Sequence, residues 1–386
     1  MKKGWERKNL GDVCEVIAGQ SPEGKFYNAE GKGMPFYQGK KDFGDKFIEV
    51  PTTWTTQTTK IAKEGDILMS VRAPVGPVNF ATDEICIGRG LAAIRSGDAL
   101  NRDFLFYQLW YLQPDIAGRE GAVFASINKA EIEALPLAFA PLPEQQRIVG
   151  LLDEAFAGLA TAKANAEKNL QNARDLFESH LNAVFSQRGE GWVEKQVGEV
   201  CTLKSGTTWD KSLEHASGEV PYVKVSDMSY EGNETEVVAS SRYVNRCDIS
   251  VSAILPPGTT IFPKRGGAIL TNKKRITAVP ICTDLNIMGA FPRSTGLLPK
   301  FVFFYFCNVD MRQLGSGSSI PQINNYDIAP LALAFPRNTS EQATVVRTLE
   351  SLSDQADHLE SVYQQKLDAL DALKKSLLHQ AFAGGL

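Results

Sequence analysis

Apolar residues recur at helical spacing along two long stretches of the chain, and these stretches predict its main elements. Between residues 142 and 186, positions three, four or seven apart are apolar, starting with Ile148, Leu152 and Phe156. This spacing lines one narrow face of a helix. Pro143 fits the first helical position, and no other proline interrupts the stretch. A helix of about 44 residues is roughly 65 Å long, and its narrow apolar seam predicts a helical partner.

A second stretch, residues 339–382, repeats the pattern at a constant offset. Glu341 and Gln342 stand 197 positions after Glu144 and Gln145, and the apolar positions that follow keep this offset without a gap. Such a register over stretches of this length predicts a duplicated helix whose two copies pair. The residues predicted to form the helix pair, or to bind a partner through it, are Glu144, Gln145, Ile148, Leu152, Phe156, Glu341, Gln342, Val345, Leu349 and Leu352.

The rest of the chain consists of two stretches rich in short β-type runs, which glycine and proline interrupt. One or two short helices accompany these runs, a pattern typical of a small α+β domain. Corresponding features begin at Trp5 and Trp192, Met34 and Val220, Gly65 and Gly258, and Phe104 and Phe301. The loops differ strongly, and residues 37–60 resemble nothing in the second stretch.

The repeat predicts the architecture of the whole chain. We expect an α+β fold class, with two related globular domains separated by two long helices that pair as an antiparallel coiled coil. A pseudo-two-fold axis would relate the two halves. The predicted segments are a first domain at 1–141, a central helix at 142–187, a second domain at 188–336 and a C-terminal helix at 337–386.

Composition describes an ordinary folded chain. Hydrophobic residues make up 43% and charged residues 22% of the sequence. No apolar run reaches the length of a membrane span, and the N-terminus shows no apolar signal core. The six cysteines have no CxxC spacing, which predicts reduced thiols in a cytoplasmic protein rather than disulfides or a zinc site.

The overall charge does not indicate a nucleic-acid-binding protein, because the formal net charge is −4. The acidic excess lies mostly in the helical segments, with 4 Lys/Arg against 6 Asp/Glu in residues 141–187 and 5 against 7 in residues 336–386. The globular stretches are nearly neutral, with 17 against 18 in residues 1–140 and 15 against 14 in residues 188–335. Local basic faces on the globular domains are therefore compatible with the sequence.

Motifs that would carry chemistry are absent or incomplete. Gly19, Gly24 and Lys25 match most of a phosphate-binding loop, but Phe26 stands where a Ser or Thr should be, so we interpret the match as coincidence. No dinucleotide fingerprint, nucleophile elbow, metal-spaced His/Cys set or Asn-Pro-Pro-Tyr motif occurs. If the repeated unit were an enzyme, its acid–base residues should occur in both copies, but no His or pair of carboxylates recurs. We predict a binding protein with no catalytic residue and no metal site.

Polar residues in the globular stretches supply candidates for DNA contact. Glycine beside a basic side chain allows close approach to a phosphate, and Lys or Arg neutralises its charge. For any single residue, the alternative is a solvated surface charge. The candidates are Lys40, Lys41, Arg72, Arg89, Lys224, Lys264, Arg265, Lys273, Lys274 and Arg275. By contrast, Asn128 and Asn324 precede an acidic residue by three positions, so we expect both to cap short helices.

The duplicated organisation resembles the specificity subunit of type I restriction–modification systems, and the resemblance covers the whole chain. It rests on the two-fold repeat, on Leu-Pro-Glu-Gln-Gln-Arg-Ile-Val at 142–149 opening a long helix, and on Ser-Val-Arg-Ala-Pro-Val-Gly at 70–76. The second copy departs from this pattern. It has Asn-Thr-Ser at 338–340 in place of Leu-Pro, and it lacks Arg-Ala-Pro-Val-Gly.

The resemblance implies a non-catalytic subunit of a larger enzyme. Each globular unit would be a target recognition domain that reads one half of a split, asymmetric site in double-stranded DNA. The paired helices would separate the two domains and dock two methyltransferase subunits, and restriction subunits would join them. S-adenosylmethionine, ATP and magnesium would bind the partner subunits, and this chain would need no cofactor of its own.

Two other interpretations compete with DNA recognition. The first is a coiled-coil adaptor whose domains bind proteins, which the near-neutral domains and acidic helices favour slightly. It predicts no salt-sensitive DNA binding. The second is an enzyme with an unfamiliar site, which predicts turnover by the isolated chain. The sequence does not give the DNA motif or its spacer length.

Overall fold

The structure is a computed structural model that describes residues 4–117, 126–314, 321–383 and 385–386. The chain forms two compact units. Unit 1 comprises Met1–Glu167 and Gln364–Leu386, and unit 2 comprises Lys168–Tyr363. Both long helices contribute to both units, so the four predicted segment limits stay a prediction.

Unit 1 contains the first globular domain. Its strands and helices in chain order are β1 (Glu6–Asn9), α1 (Leu10–Val13), β2 (Cys14–Ala18), β3 (Tyr27–Asn28), β4 (Met34–Tyr37), β5 (Trp54–Thr55), β6 (Ile61–Ala62), β7 (Ile67–Ser70), β8 (Val78–Phe80), β9 (Ile85–Ile87), β10 (Leu91–Ser96), α2 (Arg102–Ala117), α3 (Lys129–Glu133), β11 (Pro136–Phe139) and α4 (Leu142–Gln187). The last of these, α4, begins in unit 1 and ends in unit 2.

The central strand of unit 1 is apolar on both faces because it lies between two cores. β10 occupies an inner position of an antiparallel sheet with the order β2-β10-β7-β8. Ala92 and Ile94 belong to the core that contains α2, whereas Leu91 and Ala93 belong to a second core with Ile87. A second sheet has the order β3-β5-β4-β9-β6, and its strands β4 and β9 run parallel.

Unit 2 contains the second globular domain. Its elements are β12 (Trp192–Gln196), α5 (Val197–Val200), β13 (Cys201–Ser205), β14 (Val220–Val223), β15 (Glu236–Val237), β16 (Tyr243–Val244), β17 (Thr260–Pro263), β18 (Arg275–Thr277), β19 (Cys282–Thr283), β20 (Ile287–Pro292), α6 (Pro299–Asn308), α7 (Asn325–Ile328), β21 (Ala332–Pro336) and α8 (Thr339–Ala383). The long helix α8 begins here and ends in unit 1.

The strand order of unit 2 repeats that of unit 1. The order β13-β20-β17-β18 corresponds to β2-β10-β7-β8, and β15 extends it at the β18 edge. The parallel pair β14–β19 corresponds to β4–β9, and the two-stranded sheet β12-β21 corresponds to β1-β11. The predicted α+β fold and its internal repeat are therefore confirmed.

The two long helices pack against each other in opposite directions in both units. In unit 1, Ile148 and Leu152 share a core with Phe382, and Lys163 Nζ lies 3.4 Å from Asp371 Oδ1. In unit 2, Leu181 and Leu349 share a core, and Arg174 Nη2 lies 2.9 Å from Glu360 Oε2. Residue numbers rise along one helix as they fall along the other, which confirms the antiparallel pair.

The other helix-pair candidates differ in their surroundings. Val345 packs against the core of unit 2, and Leu352 is half-buried. The ring of Phe156 lies 5.4 Å from that of Tyr107, so its aromatic contact is with the globular domain of its own unit. Glu144 accepts hydrogen bonds from Arg147 one turn later, and Glu341 is exposed.

Gln145 and Gln342 have a role that the sequence did not predict. Both side chains are fully buried. Gln145 accepts a hydrogen bond from Asn101 N at 2.7 Å and donates to the carbonyls of Ala99 and Ala140 at 3.1 and 2.7 Å. Each of these bonds is made to the globular domain of its own unit. The prediction that Gln145 serves the helix pair is thereby corrected.

The second copy uses the same device. Gln342 accepts a hydrogen bond from Leu298 N at 2.8 Å and donates to the carbonyls of Gly296 and Pro336 at 2.9 and 2.8 Å. An amide suits this position because it carries an acceptor and two donors in one plane. In both copies it ties the start of a long helix to the loop before the aromatic helix, which is α2 in unit 1 and α6 in unit 2.

In each unit, a cluster of one lysine and two carboxylates also joins the long helix to the globular domain. The lysine comes from a different element in the two units. In unit 1, Lys46 Nζ lies 3.1 Å from Asp103 and 3.4 Å from Asp153. In unit 2, Lys300 Nζ lies 3.3 Å from Glu236 and 2.6 Å from Glu350. The cation thus comes from a divergent loop in unit 1 and from the aromatic helix in unit 2. The repeat keeps the attachment although it does not keep the residues.

Candidate nucleic-acid interface

Three of the predicted DNA-contact residues of unit 1 meet at one cleft. This cleft has a volume of about 580 Å³ and is lined by Lys40, Arg72 and Arg89, so we call it the cationic cleft. Gln38 and Glu23 also line it. All three cationic side chains are exposed. They come from three separate loops, and the fold brings them together.

Backbone hydrogen bonds hold the loops of the cationic cleft. Val71 N donates to Gly90 O at 3.0 Å, and Ile127 N donates to Val71 O at 3.1 Å. Arg89 N donates to the hydroxyl of Ser21 at 3.2 Å. A Cβ at Gly90 would stand 2.2 Å from the carbonyl oxygen of Gln38, so the close approach of these loops requires glycine.

The cationic cleft has no described counter-ion for its three cations. Within the described ranges, Lys40, Arg72 and Arg89 make no ion pair. The carboxylate at its edge, Glu23, is instead paired with Lys25 at 2.6 Å. Unpaired cations at a concave surface attract a polyanion. Lys41 is also exposed but is not among the residues that line the cleft, and its Nζ lies 3.8 Å from Asp42.

In unit 2, Arg265 is the predicted residue that remains accessible. Its side chain is exposed, and it makes no ion pair with any residue that the structure describes. Gly266 N donates to Pro321 O at 2.8 Å, and the backbone of Arg265 bridges to that of Gln322. The loop that carries this arginine is therefore fixed on both sides.

The other cations of unit 2 make contacts within the domain. Lys224 Nζ lies 2.7 Å from Glu214, and Lys273 donates a hydrogen bond to Ser229. Lys264 is 7% exposed and donates to the hydroxyl of Ser205 at 2.7 Å. Burial lowers the pKa of Lys264, and the nearby charge of Arg265 adds to this effect. The prediction that these residues contact DNA is untested, but their described bonds are internal.

Lys274 and Arg275 are the most deeply involved in the fold. Lys274 is 6% exposed and donates to Asn272 Oδ1 at 2.8 Å and to Val309 O at 2.7 Å. Burial lowers the pKa of Lys274 to about 8. Arg275 Nε donates to Asn233 O at 2.7 Å, and burial likewise lowers its pKa. The ammonium of Lys274 and the guanidinium of Arg275 could contact a ligand only if these hydrogen bonds broke. Neither residue is therefore part of the proposed interface.

Sequence reasoning missed a polar row beside Arg265. Gln322 Nε2 donates to Asn324 Oδ1 at 2.6 Å, and Asn324 Nδ2 donates to the phenolic oxygen of Tyr326 at 2.8 Å. The ring of Tyr326 is 71% exposed. The signal was the i, i+2, i+4 spacing of three polar side chains.

Both predicted caps are present, and they differ only in the further partners of the asparagine. Asn128 Oδ1 accepts from Glu131 N at 3.0 Å, and Asn128 N donates to Glu131 Oε2 at 2.8 Å, as predicted. At Asn324, the carboxylate of Asp327 accepts from the backbone N–H at 2.7 Å. The capping box of Asn324 with Asp327 is present, as predicted, and the amide of Asn324 has further contacts with Gln322 and Tyr326.

In the described part of the chain, no group of three or more His, Cys, Asp or Glu residues is arranged to hold a metal ion. Among the helices described, none combines the length and the apolar character needed to cross a bilayer.

Comparisons with known proteins bear on the whole chain. Residues 2–170 and 189–369 each match the type I restriction modification DNA specificity domain. A putative type I restriction enzyme MjaX specificity subunit of Methanocaldococcus jannaschii is 40% identical over 174 residues, which are 44% of this chain and 40% of that protein. The MjaIX specificity subunit of the same organism is 23% identical over 372 residues, which are 86% of this chain and 83% of the relative.

Solved structures share the fold. A chain from a structure describing complex assembly and conformational transition of the type I R-M system matches with a TM-score of 0.84 and 17% identity, covering 100% of this chain and 99% of that one. The HsdS subunit from Thermoanaerobacter tengcongensis matches with a TM-score of 0.59 and 17% identity, covering 100% and 98%. Because the family match occurs twice and spans most of the sequence, this chain belongs to the family of type I restriction–modification DNA specificity domains.

Proposed function

We propose that the chain is the DNA-recognition subunit of a type I restriction–modification complex and reads a split, asymmetric site through its two globular domains. One observation carries the proposal. A duplicated scaffold presents an exposed arginine, which has no ion pair with a described residue, at corresponding loops among side chains that differ between the copies; these arginines are Arg72 and Arg265. Two copies with unlike surroundings suit two unlike half-sites.

The side chains around the two arginines have the chemistry of base recognition. Arg and Lys donate to guanine, whereas Gln and Asn pair with adenine in the major groove. In unit 1 the neighbours are Lys40, Arg89 and Gln38. In unit 2 they are Gln322 and Tyr326. We expect the two half-sites to differ because these groups differ.

The long helices supply the other half of the proposal. They would set the distance between half-sites and dock two methyltransferase subunits, with restriction subunits joining the assembly. Adenine methylation with S-adenosylmethionine, and the steps that use ATP and magnesium, would occur on those partners. Leu176 and Leu373 support two equivalent docking sites, because they are 197 positions apart and 54% and 47% exposed on their helices.

Charged substitutions at these leucines are expected to remove the partners one at a time. Leu176→Glu and Leu373→Glu should each leave one bound methyltransferase subunit, and the double variant none, because a carboxylate would be desolvated at an apolar contact. The masses of the purified complexes, measured by light scattering, give the count. Asn165→Glu, at an exposed polar position of the same helix, serves as the control and should keep both subunits. A double variant that retains both would refute these docking positions.

Salt-dependent binding to duplex DNA separates recognition from the adaptor alternative. With its methyltransferase subunits bound, the chain should bind duplex DNA with an affinity that falls steeply with salt. Fluorescence anisotropy on a labelled duplex measures it. Lys40→Ala should weaken binding to that duplex, whereas Lys41→Ala, next to it but not lining the cationic cleft, should have little effect. The adaptor interpretation predicts no such binding by an intact complex.

A further inference from the structure

The loops that carry Arg72 and Arg265 have the same backbone framework in the two units. In unit 1, Val71 N donates to Gly90 O and Ile127 N donates to Val71 O. In unit 2, Lys264 N donates to Asn286 O at 2.7 Å and Ile323 N donates to Lys264 O at 2.9 Å. The backbone of Arg72 forms an isolated antiparallel β-bridge with that of Ser126, and the backbone of Arg265 forms the same kind of bridge with that of Gln322. The two arginines therefore occupy the same position of the repeat.

The remaining cations of the cationic cleft have no cationic counterpart. Gly88 N donates to Tyr37 O as Asp284 N donates to Val223 O, which fixes the correspondence of the surrounding loops. By this correspondence, Ser226 stands at the position of Lys40 and Leu285 at that of Arg89. Of the three cation positions of the cleft, only that of Arg72 is cationic in both copies.

A side chain common to both copies is suited to what both half-sites share. Two unlike half-sites differ in their bases but have the same phosphodiester backbone. Arginine donates in a planar fork that matches two phosphate oxygens. The rigid loop beneath each arginine would hold this fork at one place relative to the scaffold, and the neighbouring side chains would be positioned over the base edges.

We propose that Arg72 and Arg265 are paired phosphate anchors that place both recognition domains on DNA without reading sequence. Lys40 and Arg89 in unit 1, and Gln322 and Tyr326 in unit 2, then determine the bases. This inference rests on the proposed function and adds a division of labour within it. Neither anchor has an ion pair with a described residue to give up on binding a phosphate.

The test uses the chain in complex with its methyltransferase subunits, and a duplex that carries the motif found by methylation mapping. Arg72→Ala and Arg265→Ala should each lower affinity about tenfold and reduce the salt slope by about one. The double variant should reduce the salt slope by about two. The methylated motif should keep both half-sites in every variant. Arg89→Ala provides the contrast and should relax one position of a single half-site.

Two controls secure the interpretation. Arg7→Ala removes an exposed arginine that does not line the cationic cleft, and it should leave the salt slope unchanged. Thermal melting should be unaffected by either anchor substitution, since neither guanidinium makes a described hydrogen bond. If Arg72→Ala changes the recognised bases, or leaves the slope intact, the anchor role is wrong while DNA recognition stands. If the native complex binds no DNA, the proposed function fails as well.

Discussion

Replacing Gln145 with alanine is expected to lower the free energy of unfolding of unit 1 by about 3 kcal/mol or more. The substitution removes one amide that satisfies Asn101 N and the carbonyls of Ala99 and Ala140. The site is fully buried, so a water molecule does not readily replace the lost bonds. Unsatisfied buried polar groups cost about 1–3 kcal/mol each, and the cavity adds to this. We expect the loss to centre on the start of α2 and of α4.

Gln146 supplies a matched control, since it is the next residue of the same helix and is exposed. Gln146→Ala should change stability by less than about 0.5 kcal/mol. Denaturant unfolding gives the total effect, and amide hydrogen exchange near Asn101 gives its location. Gln342→Ala should produce the same loss in unit 2, around Leu298. Equal stability of the Gln145 and Gln146 variants would show that the buried amide does not hold the helix start.

Removing one heptad from both long helices is expected to shorten the unread spacer of the DNA site. Residues 164–170 and 364–370 are the matched segments, because they lie between the ion pairs Lys163–Asp371 and Arg174–Glu360. A seven-residue deletion preserves the apolar seam. It shortens each helix by about 10 Å, which corresponds to about 3 base pairs. The methylated motif should keep its half-sites and lose about 3 base pairs between them.

Duplicating the same two segments provides the opposite change and should lengthen the spacer by about 3 base pairs. A deletion in α4 alone should instead disturb the pairing, since Lys163 and Arg174 would no longer both reach their partners. Methylation mapping of each variant reads out the spacer directly. An unchanged gap in a complex that still methylates would rule out the helices as the ruler.

The fold was predictable from the sequence because its strongest signals are periodic. The narrow apolar seams predicted both long helices, and the constant offset of 197 positions predicted the internal repeat. The role of Gln145 was not predictable, because a glutamine at a helix start has the same local signature whether it is buried or solvated. Its importance depends on the Ala99–Asn101 loop, which is more than 40 positions away and which the fold places against it.

The candidate interface was predictable only in part, for a related reason. Composition identifies a run such as Lys273, Lys274 and Arg275, but it does not show which way each side chain points. In the fold, Lys274 reaches the carbonyl of Val309, which lies far along the chain. Arg72 and Arg89, which are isolated in the sequence, reach the same cleft. Clustering in sequence and clustering in space were therefore different properties here.

The most direct test of the central claim is a genome-wide map of modified adenines. The chain would be expressed with its methyltransferase subunit in a host without other adenine methylation. We predict a bipartite motif with a fixed gap, present only when this chain is present. Exchange of residues 188–335 for those of a relative should change one half of that motif alone. If an intact, co-purifying complex gave no motif that depends on this chain, the claim that it reads DNA would be contradicted.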